Sequence, residues 1–331
     1  MTWYNTPAMF DLLSIGDTKL DVFIDLGDDA KVACSKDTHR CEIRIKYGEK
    51  IPVDSARLLP AGSAANVAIG VRRLGKRACV ETVMGDDLTS ALTRELLASE
   101  RVDASHLHTT KNTKSSFSAI LNFEGESTIL AVHEPHAYTV HQKLDARWVF
   151  VGEMGEHYRD FYRKLAAKKR RDGFLLALNP GAIQLEELDA SLYELIAQTD
   201  LLILNKAEAE RLALVESDDI GKLLRKLQDL GAQTVIVTRG QKGAYATENG
   251  ELWHAPMFPG KLAEATGAGD AFTAGVLAAC LHRKDLKTAL AWGAVNSASV
   301  VGYVGAHEGL LKKSELETRL SKMKTYRVKP L

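Results

Sequence analysis

Short apolar runs bounded by Gly, Asn or Asp recur along the chain at residues 12–15, 78–83, 148–151, 174–178, 201–204 and 234–238. Their length and their turn-forming borders predict strands. Between them, residues 64–74, 89–99, 159–171, 207–214, 220–230 and 271–282 return apolar side chains at helical spacing. Strands alternating with helices in this way predict a doubly wound α/β fold, a mainly parallel sheet flanked by helices.

Two places break the alternation. In residues 41–47, Cys41, Ile43, Ile45 and Tyr47 alternate with Glu42, Arg44 and Lys46, the pattern of a half-exposed strand. Residues 116–123, a turn at Glu124, Gly125 and Glu126, and residues 127–133 read as a hairpin. Together they predict a small antiparallel β lid drawn from about residues 20–58 and 114–134. Its apolar face must be covered by ligand, by the main body or by a second subunit, so a homodimer through the lid is expected. No repeat, low-complexity tract or linker divides residues 1–331, which read as one domain.

Composition narrows the classes. A chain of 331 residues with 45% hydrophobic content can build one large α/β domain. Equal numbers of basic and acidic residues, 43 each, offer no reason to expect nucleic acid or a membrane surface as partner. Cysteines at 34, 41, 79 and 280 fall short of a disulfide framework. Residues 1–11 show no basic region leading into an apolar run. A soluble, reduced, cytoplasmic protein is expected.

The chemistry concentrates at Glu264-Ala265-Thr266-Gly267-Ala268-Gly269-Asp270-Ala271-Phe272. Glycines 267 and 269 allow close backbone approach, and the following run is helical in composition. A helix start presents unpaired N–H groups and a positive dipole end, which favour phosphate and keep Asp270 ionised. A carboxylate beside bound phosphate can take the proton of an attacking hydroxyl.

Further segments give this stretch company, and from 12 to about 309 the chain resembles ATP-dependent sugar kinases of the ribokinase (PfkB) family. Gly16 to Asp21 resembles the family's G-x-x-x-x-D turn, which makes Asp21 an acceptor for substrate hydroxyls. Gly62 and Asn66 fall in a segment similar to G-G-x-x-x-N-x-A, with Ala61 at the first glycine, and are implied to touch the sugar. Asn205 and Glu208 match N-x-x-E, and by resemblance Asn205 lies at the nucleotide while Glu208 serves Mg²⁺. Thr238, Gly240 and Gly243 match the T-x-G-x-x-G turn beside the nucleotide phosphates. The opening segment resembles D-T-x-G-A-G-D. The resemblance implies Asp270 as general base and the backbone of residues 267–270 (Gly267, Ala268, Gly269 and Asp270) as the γ-phosphate hole. Glu264 and Ala265 replace the family's Asp and Thr, next to an implied monovalent-cation (K⁺) site. Glu153 and Asn179 stand at strand ends, where open α/β sheets bind ligands, and Asn296 resembles a residue near the adenine.

The implied activity is transfer of the γ-phosphate of ATP to ribose, fructose or another free sugar, with a nucleoside as the next acceptor. Arg44 and Lys46 on one strand face would suit a sugar phosphate instead. A dinucleotide-dependent oxidoreductase shares the α/β pattern but needs its glycine motif after the first strand. A binding protein without turnover is the other reading, given Ala61, Glu264 and Ala265, although Asp21, Asn66, Gly267, Gly269 and Asp270 are intact. Cys34, His39 and Cys41 lack metal-finger spacing and read as loop and lid residues. His133, His136 and His141 receive no catalytic role.

Overall fold

The computed structural model describes residues 9–27, 30–34, 41–123 and 126–331. The leaderless reading of residues 1–8, His39, and the turn residues Glu124 and Gly125 lie outside the described residues. The chain opens with strands β1 (Phe10–Ile15), β2 (Lys19–Leu26), β3 (Lys31–Cys34), β4 (Cys41–Arg44) and β5 (Val53–Ala61). Helix α1 (Ser63–Arg73), β6 (Ala78–Gly85), α2 (Leu88–Ser99), β7 (Asp103–Thr110), β8 (Ser116–Phe123) and β9 (Glu126–Val132) follow. The middle runs β10 (Ala146–Val151), α3 (Tyr158–Asp172), β11 (Leu175–Leu178), α4 (Ala182–Glu187), α5 (Ala190–Ile196), β12 (Leu201–Asn205), α6 (Lys206–Leu212) and α7 (Ile220–Gln228). The last part comprises β13 (Thr234–Thr238), β14 (Ala244–Glu248), β15 (Glu251–Ala255), α8 (Ala268–Leu281), α9 (Leu286–Val300), α10 (Lys313–Lys322) and β16 (Lys329–Pro330).

Ten strands form the main sheet in the order β16-β15-β14-β13-β12-β11-β10-β1-β6-β7. From β13 to β7 every pairing is parallel, and β14 to β16 add an antiparallel edge. Both faces are buried, as parallel strands require. Leu12, Val80, Phe150 and Ile236 pack on the side of α1, α8 and α9, while Leu13, Val149, Leu202 and Val237 pack with α3, α5 and α7. Strand order reverses at β1, which has β6 on one side and the much later β10 on the other. Crevices at such a reversal are where open sheets hold ligands. Gly16, Asp17 and Glu153 stand there, and the Asp17 N–H donates to the Glu153 carbonyl at 2.8 Å.

The smaller sheet has the order β5-β2-β8-β9 and is mainly antiparallel, the β2–β8 pairing being parallel. Register sorts its faces. Leu59, Asp21, Ser118 and Ala131 form one cross-strand row, with Arg57, Phe23, Ile120 and Ile129 behind it. The other face carries Leu58-Val22-Ala119-Leu130 and Pro60-Leu20-Phe117-Val132. Leu58, Leu130 and Val132 are each half exposed on that face.

The structure corrects two sequence expectations here. The alternating strand spans only Cys41–Arg44 and pairs with β3 in a separate two-stranded ribbon, leaving Ile45 and Tyr47 exposed and outside the smaller sheet. Alternation reports a half-exposed strand but does not choose its partner. Cys34 and Cys41, expected as free thiols, form a disulfide, because the ribbon register sets them directly opposite one another.

Candidate active site

Helix α8 starts where Gly267 adopts φ 76°, a left-handed value that suits glycine. A Cβ there would lie 2.5 Å from the Cβ of Ala306. The Gly267 carbonyl accepts the Ala271 N–H at 2.8 Å, and the Ala268 N–H turns back to the Ala265 carbonyl at 3.2 Å. The N–H groups of Gly267, Gly269 and Asp270 are left without a partner among the described residues, so the expected four-residue hole loses only the Ala268 donor.

Asp270 points its carboxylate toward α1. Its Oδ2 accepts from Asn66 Nδ2 at 2.7 Å, and Asn66 Oδ1 lies 2.7 Å from His307 Nε2. Burial, aided by the Arg73 charge, pushes His307 down to about 4, so the imidazole is neutral. Because the Asn66 oxygen can only accept, Nε2 carries the proton. Arg73 in turn donates to the His307 carbonyl at 2.6 Å and forks onto Glu100. Sequence suggested that the helix start would keep Asp270 ionised. Burial pushes it up to about 6, the Asn66 hydrogen bond and Lys19 opposing and the Glu153 charge adding, which leaves it ionised at neutral pH.

Asp270 opens into a polar cavity of about 300 Å³ between the main sheet and the smaller one. Asp21, Asn66, Glu153, Glu208 and Asn179 also line it. Asp21 lies on β2 rather than in a turn. Burial pushes it up to about 6 against Lys19 and Ser118, and its Oδ1 has no partner among the described residues. Burial alone would raise Glu153, yet its 2.7 Å ion pair with Lys19 holds it below the ordinary range. Gly62 has φ 111°, and a Cβ there would meet the Asp17 carbonyl oxygen at 2.4 Å, so the β5–α1 turn admits no side chain. Asn205 and Glu208 cap α6 reciprocally, with N–H to side-chain oxygen distances of 2.8 and 2.9 Å. Burial raises Glu208, the Asn205 N–H opposes it and the Asp270 charge adds.

A second cavity, of about 530 Å³ and mostly apolar, lies on the other side of the α8 start. Thr238, Gly240 and Gly243 line it with Phe258, Leu262 and Val301. Gly267 and Asp270 border the polar cavity while Ala268 and Gly269 border the apolar one, so one helical turn separates the two.

Not every expected residue arrives. Asn296 is fully buried, donates to the Ala271 carbonyl at 2.8 Å and accepts the Leu311 N–H at 3.1 Å. It ties α9 to α8 in the core, and its neighbour Ser297 lines the apolar cavity instead. Asn205 is exposed and lines neither cavity. Arg44 and Lys46 are exposed on and just after β4, beside Glu42 and Glu49, away from both linings. Glu264 is buried, with Oε1 accepting the Thr266 N–H at 3.1 Å and Oε2 the Gly305 N–H at 3.0 Å.

Sequence reasoning missed Lys19, Ser118, His133 and His307. Lys19 sat inside the quoted G-x-x-x-x-D segment and was legible as a charge beside Asp21. His133 reaches Asp17 and Glu153, each at 3.6 Å, and these carboxylates raise it above its ordinary value. His307 is 241 residues from Asn66, and no local spacing announces that contact.

Comparison with known proteins bears on this arrangement. Residues 28–313 match the model of the pfkB family carbohydrate kinases. A fructokinase of Klebsiella pneumoniae is 31% identical over 248 residues, covering 69% of this chain and 80% of its own length. A nucleoside kinase of Methanocaldococcus jannaschii is 26% identical over 279 residues, covering 82% of this chain and 89% of its own. Among solved structures, the Arabidopsis thaliana ribokinase complexed with ribose and ATP superposes with a TM-score of 0.78 at 20% identity, covering 94% of this chain and 98% of that one.

Proposed function

Since this chain belongs to the pfkB family of carbohydrate kinases, phosphotransferases with an alcohol acceptor, we propose that it moves the γ-phosphate of ATP to a hydroxyl of a small free sugar. The observation that carries this reading is the shared wall. A polar cavity holding a carboxylate base and an apolar cavity suited to a nucleotide meet at the two open N–H groups of α8. ATP would lie in the apolar cavity along Thr238, Gly240 and Gly243, with its γ-phosphate on the Gly269 and Asp270 N–H groups. The sugar would lie in the polar cavity, its hydroxyls on Asp21, Asn66 and Glu153. Asp270 would orient the attacking hydroxyl and take its proton as the O–P bond forms. The smaller sheet would act as the lid that excludes water.

The donor set suits Mg²⁺, which takes one or two carboxylates with waters and phosphate oxygens. Glu208 would hold it from the polar cavity, where the ion supplies charge neutralisation for the transferred group. The K⁺ site fits less well. Both Glu264 oxygens already accept backbone N–H groups, and no step is derived through a monovalent cation.

Acceptor class follows from the lining. Among the described residues, four carboxylates (Asp21, Glu153, Glu208 and Asp270) face one lysine, itself paired with Glu153, which opposes a phosphorylated acceptor. Among the described residues, no aromatic ring lines the polar cavity to stack a nucleobase. A neutral polyol therefore fits better than a sugar phosphate or a nucleoside. Coupled ADP release from Mg-ATP across free sugars, sugar phosphates and nucleosides tests this. A signal with free sugars supports it. A signal confined to phosphorylated acceptors or nucleosides, or none at all, overturns it.

The apolar outer face of the smaller sheet supports a homodimer through Leu58, Leu130 and Val132. Sedimentation is expected to give a dimer that Leu130→Asp converts to monomer. A monomeric wild type would exclude it. The Cys34–Cys41 disulfide stands against a cytoplasmic site, whose reducing environment opens such bonds.

The pH profile follows from Asp270. The base must be ionised, so kcat/KM is expected to fall as pH drops through about 6. Removing the hydrogen bond that favours the charged form, in Asn66→Ala, shifts this limb to higher pH. A limb unmoved in that variant would deny the Asn66–Asp270 coupling.

A further inference from the structure

Away from both cavities, on the face of the main sheet opposite α1, β6 and β7 bring three ligating side chains together. Glu81 of β6 sits directly across from His106 of β7. His141 reaches them from the connection between β9 and β10. Glu81 Oε1 lies 3.4 Å from His141 Nε2, and Glu81 Oε2 lies 3.7 Å from His106 Nδ1. All three ligand atoms fall within 4.8 Å of one another.

These distances exceed those of good hydrogen bonds and leave room for an ion between the three side chains. Ligand atoms around tetrahedral Zn²⁺ at about 2.1 Å stand roughly 3.4 Å apart. The Glu81 side chain is 4% exposed, and Glu81 Oε2 and His106 Nδ1 have no hydrogen-bond partner among the described residues. Buried polar atoms without a partner are costly, and an ion bound between these side chains would relieve that cost. His106 and His141 are about one-third exposed, which leaves an entry path. His108 stands close by, with its ring 5.9 Å from that of His141.

We propose that Glu81, His106 and His141 form a binding site for a divalent transition ion of the Zn²⁺ class, with water in the fourth position. Two imidazoles and one carboxylate select such an ion over Mg²⁺, which prefers oxygen. The ion would neutralise Glu81 and pin the β9–β10 connection to the sheet. That connection begins with His133, which contacts Asp17 and Glu153 beside the polar cavity. The role is structural, and no catalytic step is assigned to it.

The test is calorimetric titration of chelator-treated full-length protein with Zn²⁺, in excess Mg²⁺ so that oxygen-only sites are occupied. Wild type is expected to bind one Zn²⁺ per chain and to melt at a higher temperature when loaded. His141→Asn, changed at a partly exposed position between elements, is expected to lose affinity by about 10- to 100-fold and to lose the thermal gain. His106→Asn should behave alike, and Co²⁺ in the wild type should give the visible bands of a tetrahedral site with nitrogen ligands. Absence of saturable binding to wild type, or affinity undiminished in both variants, would overturn the proposal.

Discussion

Asp270→Asn is expected to lower kcat by a factor on the order of 10² to 10⁴ while leaving ATP affinity nearly unchanged. The carboxamide has the size of the carboxylate, and its oxygen can still accept from Asn66 Nδ2, so the contact at 2.7 Å survives. What disappears is the ability to take a proton. The Gly269 and Asp270 N–H groups are backbone and remain where they were, so the phosphate keeps its donors. A neutral group replaces a carboxyl that burial already drives up to about 6, so the melting temperature should not fall. Steady-state turnover, nucleotide binding by calorimetry and a thermal melt separate these effects. Undiminished turnover would remove Asp270 from the mechanism. Lost activity together with lost ATP binding would mean that the residue shapes the anion hole rather than acting as a base.

How much of this was legible without coordinates depends on the range of each interaction. The buried parallel strands were readable, because runs such as Thr234–Thr238 carry their whole signal within five residues. Strand β2 was passed over, although Leu20, Val22 and Ile24 alternate with Asp21 and Phe23, because the segment was read as a turn after β1. The ribbon strand β4 was recognised but assigned to the wrong sheet. Its pairing with Lys31–Cys34 depends on register, which alternation leaves open. Asn296 shows the same limit in the site. A polar residue on an apolar helix looks alike whether it faces a nucleotide or accounts for the Ala271 carbonyl and the Leu311 N–H. Glu208 was readable by resemblance as a metal ligand, and the structure gives it capping bonds to α6 while leaving it in the cavity. The relay from Asp270 through Asn66 to His307 joins three distant segments, so no window of sequence contains it.

A single methyl at position 269 is expected to separate folding from catalysis. Gly269 lies in the first turn of α8, and a Cβ built there meets nothing within 4 Å. Gly269→Ala should therefore fold at least as well as wild type, with up to ~1 kcal/mol gained from the restricted unfolded chain and the better helix former. That open space is where the proposed γ-phosphate must approach the Gly269 and Asp270 N–H groups. A methyl there keeps phosphate oxygens out of hydrogen-bonding range, and losing one donor of such a hole costs about 10² to 10³ in rate. We expect kcat/KM for ATP to drop by a factor on the order of 10², with sugar affinity measured without nucleotide unchanged. Gly267→Ala is the contrasting control, since φ 76° and the 2.5 Å approach to Ala306 make its damage structural and visible in the melt. Full activity in Gly269→Ala would mean that the phosphate does not sit on the start of α8. A destabilised Gly269→Ala would contradict the open geometry on which the argument stands.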